Sequence, residues 1–110
     1  MEKRAVVVEQ DSGLRDVISC VLSDFGFEVA SFEDAIDFLD FIAAEGVSAD
    51  IMVIGSSSFI SGLELAKGVK KISSVKILGI NHQTPPLGVF DDFIERPFRI
   101  EEIERAIRNL

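Results

Sequence analysis

The sequence predicts an α/β domain, with one five-stranded parallel sheet and helices packed on both faces. Three observations carry this prediction. Short, wholly apolar runs such as Ala5-Val6-Val7-Val8 and Ile51-Met52-Val53-Ile54 are flanked by charged or polar residues, as expected of strands buried on both faces. Between such runs, apolar residues recur at three- and four-residue steps, which marks one face of an amphipathic helix. The two patterns alternate along the whole chain, and such alternation specifies parallel strands joined by right-handed crossovers.

The first strand is Ala5 to Val8. After it, Leu14, Val17, Ile18, Val21, Leu22 and Phe25 form a helical stripe, with Asp11 or Ser12 placed to cap its start and Gly26 its end. Phe27 to Phe32 is the second strand. The second helix runs from about Glu33 to Ala44; Glu33, Asp34 and Asp37 suit the positive end of its dipole, and Gly46 stops it. Ile51 to Ile54 is the third strand. Leu63 to Ile72 is the third helix, with Leu65, Val69 and Ile72 expected to turn inward. Lys76 to Ile80 and Phe93 to Glu95 are the fourth and fifth strands, and Ile100, Ile103, Ile107 and Leu110 mark the last helix. The five strands fit the flavodoxin-like order 2-1-3-4-5, whose functional crevice lies at the carboxyl ends of strands one and three.

One connection breaks the pattern. Only twelve residues separate Ile80 from Phe93, and they include Pro85-Pro86. A parallel crossover takes about a dozen residues or more with a helix inside. The prolines remove two N–H donors and push Thr84 out of the α region. The helix between strands four and five is therefore expected to be shortened or missing.

Composition excludes several classes of function. The 110 residues are 47% hydrophobic, with nine Phe and no Trp or Tyr, which suffices for one core and one domain. Cys20 is the single cysteine, so no disulfide forms within the chain; its thiol is expected to be packed beside the first helical stripe. Only four small apolar residues follow Met1-Glu2-Lys3-Arg4, too few for a signal-peptide core or a membrane span, so a cytoplasmic, soluble domain is expected. A formal charge of -8 argues against nucleic-acid binding, and Lys67, Lys70 and Lys71 read as a solvated helix face.

The residues at the carboxyl ends of the strands carry the functional reading. Glu9-Gln10-Asp11 follows strand one, Gly55 follows strand three, Gly79 lies near the end of strand four, and Arg96-Pro97-Phe98 follows strand five. Over the whole chain this layout resembles the CheY-like receiver domain of bacterial two-component response regulators. The resemblance implies an acidic pair holding magnesium after strand one and a phosphate-accepting aspartate at the end of strand three. It also implies a Thr or Ser ending strand four and a lysine before the proline after strand five. The matching positions here hold Glu9 and Gln10, Gly55, Gly79 and Arg96, and only Pro97-Phe98 stands unchanged. The resemblance thus implies a degenerate phosphorylation pocket, that of a pseudo-receiver.

The chemistry of these residues agrees with that expectation. An acyl phosphate needs a carboxylate nucleophile, and Gly55 has none. Ser56 to Ser58 and His82, the single histidine, read as loop residues. Glu9, aided at most by Asp11, makes a weak magnesium site, and Asp11 serves better as a helix cap. Arg96 is expected either as an exposed charge or as a two-pronged partner of Glu9 reaching over Gly55.

The resulting expectation is a non-enzymatic module with no catalytic residue, cofactor or metal. It would act through protein–protein contacts in transcriptional or two-component regulation, away from membranes. The resemblance implies one receiver-like domain over residues 1–110, of the kind that precedes an output domain in a longer regulator. Partner binding is expected on the side of the missing helix. Leu87, Val89 and Phe90 would either fold over strands four and five there or meet a partner, a homodimer being the simplest. The alternative is a flavodoxin-like small-molecule binding module. Against it, Glu9 and Asp11 would repel a phosphate, and no Trp or Tyr is present to stack on a ring.

Overall fold

In the computed structural model, residues 3–46, 48–56, 60–80, 89–95 and 98–110 are described, and they alternate between strand and helix as the sequence predicts. The elements are β1 (Lys3–Val8), α1 (Ser12–Asp24), β2 (Phe27–Phe32), α2 (Ala35–Glu45), β3 (Ile51–Ile54), α3 (Gly62–Ile72), β4 (Lys76–Ile80), β5 (Asp92–Ile94) and α4 (Ile100–Asn109). The strands form one sheet in the order β2-β1-β3-β4-β5, and every pairing is parallel. Among the described residues four helices are seen, and none lies between β4 and β5.

Both faces of the central strands are buried, which is why their sequences are continuously apolar. Ala5 and Val7 of β1, with Ile51 and Val53 of β3, meet Ile18 and Leu22 of α1 and Ile103 and Ile107 of α4. The alternate residues Val6, Val8, Met52 and Ile54 meet Phe38 of α2 and Leu65, Ala66 and Val69 of α3. Phe38 is fully buried and stands edge-on to Phe32, with ring centroids 5.8 Å apart. Local signals set the helix boundaries. Asp11, Asp34 and Ser61 each accept a hydrogen bond from a backbone N–H three residues on, and Gly26 and Gly46 take the positive φ that ends the first two helical segments.

Several sequence expectations need correction. Ile72 is not part of the inward stripe of α3 but 66% exposed. Gly62, Leu65, Ala66 and Val69 make the buried face, and Ile72 falls roughly 70° around the helix from its centre. Val17 is displaced on α1 in the same way and is half-exposed. Cys20 is exposed rather than packed, because it lies on the side of α1 opposite Ile18, Val21 and Leu22. Strand β5 begins one residue earlier than expected and ends at Ile94.

Lys70 is likewise not a solvated charge. Its ammonium group donates to Asp91 Oδ2 at 2.7 Å and to the Val75 carbonyl at 3.1 Å. The same Asp91 oxygen accepts from Ile77 N–H at 2.7 Å, while Asp91 N–H donates to Ile77 O at 2.9 Å. Partial burial alone would push this carboxyl group up. The Lys70 and Ile77 hydrogen bonds and the charges of Lys70 and Lys76 outweigh it, holding the group below its ordinary value of 3.8. This clamp fixes the segment that leads into β5.

Candidate functional site

Hydrogen bonds continue between β1, β2 and β3 beyond the strand ends and build the crevice. Gly55 N–H donates to Val8 O at 2.8 Å, Glu9 N–H to Phe32 O at 3.0 Å, and Gln10 N–H to Ser56 O at 2.9 Å. This pairing holds Glu9 beside Gly55. Glu9 is wholly buried and is the only buried polar or charged residue among those described.

A carboxylate is costly to bury unless its oxygens are satisfied. Glu9 Oε2 accepts from Ser56 Oγ at 2.5 Å and from Asp11 N–H at 3.3 Å, and Oε1 accepts from Ser56 N–H at 3.3 Å. The Arg15 guanidinium donates to the Glu9 carbonyl oxygen at 2.8 Å, which steadies the backbone that carries the carboxylate. Ser56, which the sequence suggests is only a loop residue, is thus the principal partner of Glu9. The clue in the sequence was an acidic residue directly after a buried strand, with a hydroxyl two residues past the neighbouring strand.

Glu9 also explains the glycine. A Cβ on Gly55 would lie 2.8 Å from the Glu9 carboxyl carbon, so the end of the Glu9 side chain would have to shift to admit it. The backbone at Gly55 is not in the left-handed region, so it is the space taken by the Glu9 side chain, rather than φ, that favours glycine here. The Glu9 carboxyl group fills the volume in which a side chain at residue 55 would begin.

Gly79 has a similar cause. It pairs with Ile54 of β3 and Phe93 of β5, and a Cβ there would lie 2.9 Å from two carbons of the Phe90 ring. Val89 and Phe90 are half-buried against the layer of core shared by α2 and α3. Of the two roles expected for them, this packing is the first, folding over the core. Leu87, Arg96 and Pro97 lie outside the described residues, as does the expected Arg96–Glu9 pair. Gly79→Thr, which introduces a residue expected of a receiver, should displace the Phe90 ring and cost about 1–3 kcal/mol by overpacking. Urea denaturation checks this; an unchanged midpoint would mean that the ring does not occupy that space.

Asp11 caps α1 through Oδ1, which accepts from Leu14 N–H at 3.0 Å, and Gln10 is exposed. A magnesium ion takes oxygen ligands in a near-octahedral set. Glu9 is turned inward onto three protein donors, Asp11 is engaged by its helix, and Gln10 is neutral. Among the described residues no group of three His, Cys, Asp or Glu side chains is gathered. These residues do not fit the magnesium ion that the fold family implies.

No family model matches the chain. In sequence it is similar to the transcriptional regulatory protein FixJ of Bradyrhizobium diazoefficiens, 33% identical over 93% of this chain and 55% of FixJ. It is also similar to the uncharacterized transcriptional regulatory protein YrkP of Bacillus subtilis, 30% identical over 97% of this chain and 48% of YrkP. The chain spans about half the length of these relatives. In structure it matches the chemotaxis response regulator CheY4 of Vibrio cholerae with a TM-score of 0.83, covering 99% of this chain and 98% of CheY4 at 21% identity. Fold and sequence together define the class: the chain has a CheY-like fold, and over nearly its whole length its sequence is similar to transcriptional regulatory proteins. Among its described residues no helix is long and apolar enough to cross a membrane.

Proposed function

We propose that this domain is a pseudo-receiver, which takes no phosphoryl group and acts as a fixed, non-enzymatic surface for protein contact. The observation that carries this reading is the Glu9 carboxyl group lying against Gly55. The end of β3 offers no nucleophile, and a buried, hydrogen-bonded carboxylate occupies the space where one would start. Ser56, next in the chain, carries a hydroxyl, but it donates to Glu9, and a phosphoryl group there would have to displace that carboxylate. A signal carried by such a domain resides in its folded surface and in what that surface binds. The relatives FixJ and YrkP are named as transcriptional regulatory proteins, so a cytoplasmic regulator of transcription is the context we assign. Phe93 on the edge strand β5 is 43% exposed, which favours a contact on that side.

The test is intact mass spectrometry after incubation with acetyl phosphate and magnesium. The expected result is no gain of a phosphoryl mass. A stoichiometric adduct, on Ser56 or on any other side chain, overturns the reading.

A further inference from the structure

A cavity of about 210 Å³ opens between α2 and the β1–β2 edge of the sheet. Its walls include Val6, Ala30, Phe38, Phe41 and Ile42, whose side chains carry no hydrogen-bonding group. Phe41 is half-buried and tilted against Phe32, with ring centroids 5.2 Å apart. Sites for drug-sized molecules run to about 300–1,000 Å³, so this cavity suits one small apolar group. It lies towards the amino-terminal ends of the strands, whereas Glu9 and Gly55 stand at their carboxyl ends.

The rim of this cavity is charged. Arg4 and Glu28 both line it, both are exposed, and they are direct partners in the register of β1 and β2. Neighbouring strands lie about 4.7–4.9 Å apart, and opposite charges so placed ordinarily pair. Among the described residues, however, the ion pairs are those of Lys70 and Lys76 with Asp91, and none joins Arg4 to Glu28. The Arg4 guanidinium instead donates to the hydroxyl of Ser48, on the same rim, at 3.2 Å. Asp50 accepts from the Arg4 backbone N–H at 2.9 Å, and no ion pair ties its carboxylate to the guanidinium. A cation and an anion thus stand on neighbouring strands beside an apolar hollow, and neither neutralises the other.

We propose that this cavity binds a free apolar α-amino acid, such as leucine. Arg4 takes the carboxylate, in the two-pronged contact that a guanidinium allows, Glu28 takes the ammonium group, and the apolar walls take the side chain. An amino acid carries its two charges on one carbon, a separation suited to side chains that reach from adjacent strands. A zwitterion has no net charge, so the domain's charge of -8 does not repel it as it would a simple carboxylate. A peptide fits less well, because its terminal charges stand at least one residue further apart. Arg4 and Glu28 face water, so binding is expected to be weak, roughly millimolar. The site is separate from the crevice and from β5, and its test does not depend on the phosphodonor experiment. In a domain that takes no phosphoryl group, the amino acid would supply the input, and this last clause alone rests on the pseudo-receiver reading.

NMR titration of the isotope-labelled domain with L-leucine decides it. Saturable shifts are expected at the amides of Arg4, Glu28, Ala30 and Phe41. N-acetylleucine lacks the ammonium charge, leucinamide lacks the carboxylate, and glycine lacks the side chain; each should bind about fivefold more weakly or worse. Arg4→Gln and Glu28→Gln, both at exposed positions, should weaken leucine binding by about the same factor. Ala30→Leu, which fills the cavity from within, should abolish it. Circular dichroism checks that the variants remain folded, and the blocked ligands test the same contacts on the unaltered chain. Absence of saturable shifts well above millimolar leucine overturns the proposal. So does equal binding of leucine and its blocked forms, unimpaired binding by both charge variants, or shifts confined to another surface.

Discussion

Gly55→Asp is expected to destabilise the domain by about 3–5 kcal/mol and to leave it inert to phosphodonors. The new Cβ would start against the Glu9 carboxyl carbon, 2.8 Å away, so one side chain must move. Glu9 is held by Ser56 and by the Asp11 N–H, and it has no exposure to retreat from. Overpacking alone costs about 1–3 kcal/mol. A second carboxylate brought against the first in a dry site adds an uncompensated charge, a change worth about 3–5 kcal/mol where it has been measured. Gly55→Ala separates the two effects, because it carries the steric part without the charge and should lose only about 1–3 kcal/mol. In urea, where small domains change by about 1–3 kcal/mol per molar, the aspartate variant should unfold at clearly lower concentration than the alanine variant. Equal midpoints for all three proteins would mean that Glu9 leaves the site freely.

Asp91→Ala is expected to cost about 2–3 kcal/mol at neutral pH. The carboxylate accepts from the Lys70 ammonium and from Ile77 N–H, and hydrogen bonds to charged groups are worth about 1.5–3 kcal/mol. Its loss leaves Ile77 N–H without its acceptor and frees the segment that holds Phe90 against Gly79. The pH dependence has a definite sign. Because the folded protein holds Asp91 below its ordinary 3.8, this contribution is complete above that value and is lost as the pH falls through and below it. The difference in urea midpoint between wild type and Asp91→Ala should therefore be constant near neutrality and shrink in acid. A difference that grew on acidification would contradict the assigned direction.

Much of the fold was legible in the sequence because its strands are buried on both faces. Val6 and Val7 face opposite layers of core, so no polar residue interrupts the run, and the helices between strands show three- and four-residue spacing. Edges were less legible. Ile72 and Val17 match the helical period within one turn, but the period alone does not say where the centre of the buried face falls. Cys20 was misplaced for the same reason. At the site, the sequence showed that Gly55 lacks a nucleophile, and the structure adds why glycine stands there. That reason depends on the parallel register of β1 and β3, which brings Glu9 and Gly55 together across 46 positions of chain. Ser56 and the Lys70–Asp91 clamp were missed because their partners are distant in sequence and no local spacing signals them.

The central claim is that Glu9 and Gly55 share one volume, and a double-mutant cycle measures that directly. Glu9→Ala, Gly55→Asp and the double variant are compared with wild type by urea denaturation. With Glu9 shortened, the aspartate can enter the vacated space and accept from Ser56. The double variant should then be at least as stable as Glu9→Ala alone, giving a coupling as large as the whole cost of Gly55→Asp, about 3 kcal/mol or more and so at or above the upper end for residues in contact. Costs that simply add, to within about 0.5 kcal/mol, would show that the two positions do not compete, and would contradict the account of the site.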